Sequence, residues 1–158
     1  MTRPRNRRPP GGAPNDHDIR NVPLPSDAEL IPHLQRMLEN GLRRQVWVML
    51  LDHELRPLPI LVPTDVPPEP DPEDVLGVSD FLRCLALDFE GSTLVLTFER
   101  PGPDEVTSRD RRWLRLLHEA AIASEFPFRG PYLLLGSRVR AVPPDDYLAA
   151  EWLELDPL

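Results

Sequence analysis

Residues 92–121 run STLVLTFERPGPDEVTSRDRRWLRLLHEAA. The first seven, Ser92 to Phe98, form the strongest strand signal in the chain. Leu94 and Val95 are flanked by apolar residues on both faces, the pattern of a strand covered on both sides and therefore central in its sheet. A short loop with prolines at 101 and 103 follows. Thr107 and Asp110 then stand at the spacing of a capping box, and Trp113, Leu116, Leu117, Ala120 and Ala121 recur at helical spacing. Ser124 is next on that face, where the apolar stripe fades, and Pro127 ends the helix. A buried strand, a short loop and a long amphipathic helix together predict a helix packed on a sheet.

The flanking segments extend this frame. Upstream, Gln45 to Leu51 (QVWVMLL) is an apolar run too short for an independent helix and is expected to be a buried strand. Asp52-His53-Glu54 makes a turn, and Leu58 to Val62 returns as a second strand of a hairpin. Pro57 and Pro59 push that strand to a sheet edge, because neither can donate to a ladder. Residues 63–72 (PTDVPPEPDP) are expected to be a solvated, extended connection. Val75 to Leu87 is predicted as a helix burying Leu76, Phe81, Leu82 and Leu85. Nearer the N-terminus, Ser26 and Glu29 cap a helix carried by Leu30, Leu34, Met37 and Leu38, with Asn40-Gly41 as its stop. Pro32 is expected to delay or kink it. Downstream, Tyr132–Leu135 and Val139–Val142 form a tight hairpin around Gly136-Ser137, and Asp145–Leu155 is a last helix with Tyr147, Leu148 and Trp152 on its apolar side. The expectation is an α/β (α+β) fold, with a mixed sheet of about five strands flanked by helices.

Composition sets the domain plan. A chain of 158 residues with 41% hydrophobic content fits one domain with a real core. Its 21 prolines predict short elements and stiff loops. Residues 1–25 carry Arg3, Arg5, Arg7, Arg8 and Arg20 and almost nothing to bury; they are expected to be a disordered basic arm before a single globular domain at 26–158. Residues 1–22 have a net charge of +3 within a chain of −8, so the remainder stands at −11. A body this acidic repels nucleic acid, which leaves the Arg-rich arm as the one segment suited to phosphate. All 18 basic residues are arginine, a bias typical of GC-rich genomes. The lone Cys84 excludes a disulfide framework and is expected to be a buried structural thiol. No apolar run approaches the roughly 18–20 residues of a membrane span, and no secretory signal is apparent. A cytoplasmic protein without membrane contact is the expectation.

The common catalytic motifs are missing. Pro101-Gly102-Pro103 lacks the backbone donors of a phosphate loop, and no G-x-S-x-G elbow occurs. His17, His33, His53 and His118 stand in none of the spacings that place two imidazoles on one metal. The paired acids Asp104-Glu105 and Asp145-Asp146 are ordinary loop residues in so acidic a chain.

The succession QVWVMLLD (45–52), DVLGVSDFLRCLAL (74–87), STLVLTF (92–98), ERPGPDEV (99–106), TSRDRRWLRLLHEAA (107–121) and PYLLLGSRVRAV (131–142) resembles the JAB/MPN domain of the JAMM metalloprotease superfamily, most closely its RadC-like branch. The resemblance covers about two-thirds of the chain and implies the cytidine-deaminase-like architecture of that family. It also implies where a zinc site would lie. Aligning Pro101 with the family's proline puts Phe98 and Arg100 at the two histidine positions. Asp110 then falls at the aspartate position if the loop is one residue shorter; without that gap Ser108 matches the family's serine and Arg111 takes the aspartate's place. The activating glutamate is replaced by Gln45 or Arg44, according to register. A phenyl ring and a guanidinium do not ligate zinc, so Phe98, Arg100, Asp110 and Gln45 are degenerate site positions, and neither catalytic residues nor a cofactor are expected. Arg100 is instead a candidate to pair with Asp110 in the ion's structural role. The implied function is a non-catalytic scaffold or interaction module with a protein partner. The alternatives are a metal-dependent, isopeptidase-like hydrolase with an unrecognised site, and a RadC-like accessory of DNA repair.

Overall fold

A computed structural model describes residues 22–38 and 42–149. Most of the predicted basic arm, the Asn40-Gly41 stop and the 150–155 portion of the last predicted helix lie outside these residues. The elements are α1 (Asp27–Met37), β1 (Gln45–Leu51), β2 (Pro57–Asp65), α2 (Asp74–Asp88), β3 (Thr93–Arg100), α3 (Ser108–Ser124), β4 (Phe128–Leu135), β5 (Arg138–Ala141) and α4 (Pro144–Leu148). The strands form one mixed five-stranded sheet in the order β2-β1-β3-β4-β5. Only β3 and β4 are parallel, and α3 is the crossover between them; the other neighbours are antiparallel.

β3 is central because both its faces are apolar. Leu94, Leu96 and Phe98 join Val46, Val48, Leu50, Leu133 and Leu135 beneath α2, α3 and α4. On the opposite face Val95 packs with Met49, Leu51, Tyr132, Leu134 and Val139 beneath α1. Strand alternation thus divides each run between two cores. Leu50, fully buried, contributes about 2 kcal/mol by burial alone.

α1 runs unbroken through Pro32, with Ser26 N–H donating to Glu29 Oε2 at 3.0 Å. Its N-terminus is tied to the sheet where the Tyr132 hydroxyl donates to Asp27 Oδ1 at 2.5 Å. Burial and that acceptor both raise the affinity of the Tyr132 phenol for its proton. Leu24, which the sequence places in the arm, is buried in the α1 core, and its N–H donates to Leu55 O at 2.8 Å. The fold therefore takes hold of the chain before residue 26.

Four further expectations need correction. β2 continues through Pro63 to Asp65, so the 63–72 connection is shorter than predicted. Pro63 is tolerated because β2 is an edge strand, as its prolines indicate. Leu76 and Phe81 are 74% and 48% exposed, while Ser79 and Leu82 are the buried side chains of α2. Cys84 is exposed, not buried. Both errors have one cause: α2 is apolar on more than one side, so its sequence does not fix which stripe faces the sheet. Finally, α4 is a single short helix in which Tyr147 is buried and Leu148 is not. No helix among the described residues is long and apolar enough to cross a membrane.

Candidate functional site

The end of β3 and the start of α3 meet at a corner built around one ion pair. The capping box predicted from Thr107 and Asp110 forms: Asp110 N–H donates to Thr107 Oγ1 at 3.1 Å and Thr107 N–H to Asp110 Oδ2 at 2.9 Å. This fixes the Asp110 carboxylate at the positive end of a 17-residue helix. Arg100, the last residue of β3, reaches it bidentately, with Nε to Oδ1 at 2.6 Å and Nη2 to Oδ2 at 2.8 Å. Arg100 is 4% exposed and Asp110 0%.

The loop between them completes the arrangement. Nη2 also donates to Glu105 O at 2.6 Å, and Nη1 to Pro103 O at 2.8 Å and Pro101 O at 3.3 Å. All five N–H groups of the guanidinium therefore have acceptors. Two of those acceptors are proline carbonyls. Gly102, at φ 110°, lets the loop wrap closely; a Cβ there would lie 3.4 Å from Arg100 Nη1. The loop that cannot cradle a phosphate for want of N–H groups instead offers its oxygens to a cation.

Phe98 lies on the same side of the sheet, stacked on Trp113 with centroids 5.6 Å apart and planes at 24°. Neither Phe98 nor Arg100 can donate a lone pair to zinc, and both oxygens of Asp110 are already occupied. The residues at 98, 100 and 110 do not fit that ion.

Gln45 is not part of this corner. It pairs across β1 and β3 with Glu99 and shares the opposite face of the sheet. There it contributes to a second polar cluster, centred on buried Glu99. Gln45 Nε2 and Trp47 Nε1 donate to Glu99 Oε1 at 3.1 and 2.8 Å, and the N–H groups of Leu42 and Arg43 donate to Oε2, both at 3.1 Å. Glu99 thus fastens the chain entering β1 to the central strand.

The other register candidate, Arg44, lies within electrostatic reach of Asp110 and Arg100. Its Nη1 is buried without a hydrogen-bond partner. Burial lowers its proton affinity, as do Arg109 and Arg100, while Asp110 and Glu69 oppose them. Glu69 belongs to the acidic proline-rich connection, which is anchored rather than merely solvated. Arg109 Nε donates to Glu69 Oε1 at 2.7 Å, Arg112 Nη2 to Oε2 at 3.2 Å, and Trp113 Nε1 to Pro68 O at 3.1 Å. Behind this strap, between the sheet and α2 and α3, is a cavity of about 250 Å³. Val46, Val48, Leu96, Trp113 and Leu116 are among its walls, and no titratable side chain lines it. It offers shape and mostly apolar contact.

The remaining candidates stay apart. His17 lies outside the described residues. His53 is exposed, 3.8 Å from Glu54. His118 Nδ1 is 3.1 Å from the Tyr147 hydroxyl, and its ring meets Phe128 edge-on. Burial lowers the proton affinity of His118 and pushes the Tyr147 phenol up to about 12. Asp104 pairs with Arg140 at 2.5 Å. Among the described residues no three His, Cys, Asp or Glu side chains are grouped to hold a metal. Sequence reasoning missed Glu99 and Glu69 as members of polar clusters, and offers Arg44 only as the register alternative to Gln45. A charged residue within an otherwise apolar central strand is the available signal for Glu99.

No protein-family model, curated protein or solved structure matches the chain.

Proposed function

We propose that the chain is a non-catalytic domain of JAB/MPN-like architecture that acts by binding another protein. The reading rests on the sequence resemblance, and the observation that carries it is the buried Arg100–Asp110 pair. At the positions where the resemblance would place zinc ligands, a permanent cation grips the one remaining carboxylate and is itself held by three loop carbonyls. An incoming divalent ion would have to expel a guanidinium whose every donor is used, and would gain one carboxylate in return. In this reading the pair does the ion's architectural work, joining β3 to α3, and supplies no polarised water.

The surface also favours binding over chemistry. The cavity beside the corner has no titratable lining, while α2 exposes Leu76, Phe81 and Leu87, the last at 78%. Leu76 and Leu87, eleven residues apart, fall on the same side of the helix, and exposed apolar side chains are the kind of surface that a protein partner covers. The test is thermal unfolding of the full chain with increasing zinc. The expected result is an unchanged Tm, with no zinc-dependent cleavage of peptide or isopeptide bonds. A saturable rise in Tm that is lost in Asp110→Asn would overturn the reading and restore a metal-dependent hydrolase.

A further inference from the structure

On the face of the sheet away from Arg100, α1 and the β1–β2 hairpin enclose a second cavity of about 370 Å³. His33 and Met37 line it from α1, Met49 from β1, and residues 57–61 from the irregular start of β2. His33 is 1% exposed, and its Nε2 has no hydrogen-bond partner. A buried polar nitrogen left unsatisfied is costly, and in native proteins such an atom commonly marks a place for a water or an ion.

The neighbours of that nitrogen narrow the choice. The chain has three methionines, and the two beyond the initiator both line this cavity. His33 and Met37 are four residues apart on a helix, so their side chains lie one above the other on one face. Met49, buried on β1, belongs to the core that α1 covers. His33, Met37 and Met49 therefore line a single cavity together with residues 57–61, and its surface is part polar and part apolar.

We propose that His33 Nε2 and the sulfurs of Met37 and Met49 form a binding site for a soft monovalent cation, with cuprous copper its biological member. Thioether and imidazole are donors that suit Cu(I), whereas magnesium and calcium require oxygen ligands. The three donors are neutral and Arg36 lies within electrostatic reach of His33, so a monovalent ion meets less repulsion here than a divalent one. Burial, assisted by Arg36, lowers the proton affinity of His33, which keeps its lone pair free at neutral pH. The site lies on the face opposite the Arg100–Asp110 corner, so it stands or falls independently of the function proposed above.

Silver(I), equally soft and monovalent but not air-oxidised, is the probe. The full chain carries Cys84→Ser, because the exposed thiol would otherwise take the ion first, and its methionine methyl groups are labelled with carbon-13. On titration the Met37 and Met49 methyl resonances are expected to move together and saturate at one silver per chain. Met37→Leu and Met49→Leu, which preserve volume, and His33→Leu are each expected to weaken binding by at least about tenfold. The Tm of the Cys84→Ser chain is expected to rise with bound silver. Shifts confined to Met1, an absence of saturable shifts, or an affinity unchanged by His33→Leu would overturn the proposal.

Discussion

Replacing Arg100 by methionine keeps an unbranched side chain of similar length and removes the charge. The buried Asp110 carboxylate then keeps only the Thr107 N–H at 2.9 Å on Oδ2, and Oδ1 loses its single donor. The carbonyls of Pro101, Pro103 and Glu105 lose their donor as well. With both side chains this deeply buried, at 5% and 0% side-chain exposure, removing one partner strands a charge and is expected to cost about 3–5 kcal/mol. For a chain of this size that lowers Tm by roughly 10 °C or more. Removing both partners, in Arg100→Met/Asp110→Leu, eliminates the stranded charge. The double variant is expected to lose chiefly the Thr107 capping interaction, about 0.5–2 kcal/mol, beyond the three carbonyls. The assay is urea unfolding of wild type, both single variants and the double variant, with the coupling energy taken from the cycle. The double variant should be more stable than Arg100→Met alone. Single-variant losses that merely add, or a loss below about 0.5 kcal/mol for Arg100→Met, would refute the reasoning.

Other parts of the fold make separate predictions. Glu99→Gln turns an amide donor toward a site furnished with four donors and is expected to cost about 2–3 kcal/mol by chemical unfolding. Gly130→Ala is expected to destabilise by at least about 2 kcal/mol by the same measure, since φ is +93° and the new Cβ would lie 2.8 Å from both Leu96 O and Tyr132 N. His33 and His118 have proton affinities below the ordinary histidine value of 6.5, both through burial. Unfolding therefore takes up protons as pH falls below that value. Their contribution to stability is complete above about pH 6.5 and declines as pH drops through the lower folded values. Urea midpoints measured from about pH 8 to about pH 5 should show the decline, and His33→Leu should make it shallower.

Much of this architecture was legible because local signals agreed with one another. Ser26 with Glu29 and Thr107 with Asp110 mark two helix starts, and a strand apolar on both faces can only be central. Prolines at 57 and 59 declared β2 an edge. The nearness of a fixed cation to a capping aspartate was also readable, since Arg100 and Asp110 are only ten residues apart across one loop. What escaped the sequence depended on phase or distance. The apolar residues of α2 occupy too much of its circumference to choose a buried stripe, so Leu76, Phe81 and Cys84 were misplaced. Gln45 cannot share a site with Phe98, because it pairs with Glu99 and a step of one residue along a strand reverses the face; Arg44 is the neighbour within electrostatic reach of the corner. The clasp between Glu69 and α3 spans about forty residues and has no local signature. Glu99 was obscure for another reason: two of its four donors are backbone N–H groups, which no side-chain pattern announces.

At the β3–α3 corner a guanidinium–carboxylate pair stands where the proposed JAB/MPN resemblance would place a metal. The most direct test is an anomalous difference map at the zinc edge, from a crystal of the full chain grown without chelator and soaked in zinc. The account predicts Arg100 bonded to Asp110 and no anomalous peak between residues 98 and 110. A peak about 2.0–2.2 Å from an Asp110 oxygen, with Arg100 swung away, would contradict it.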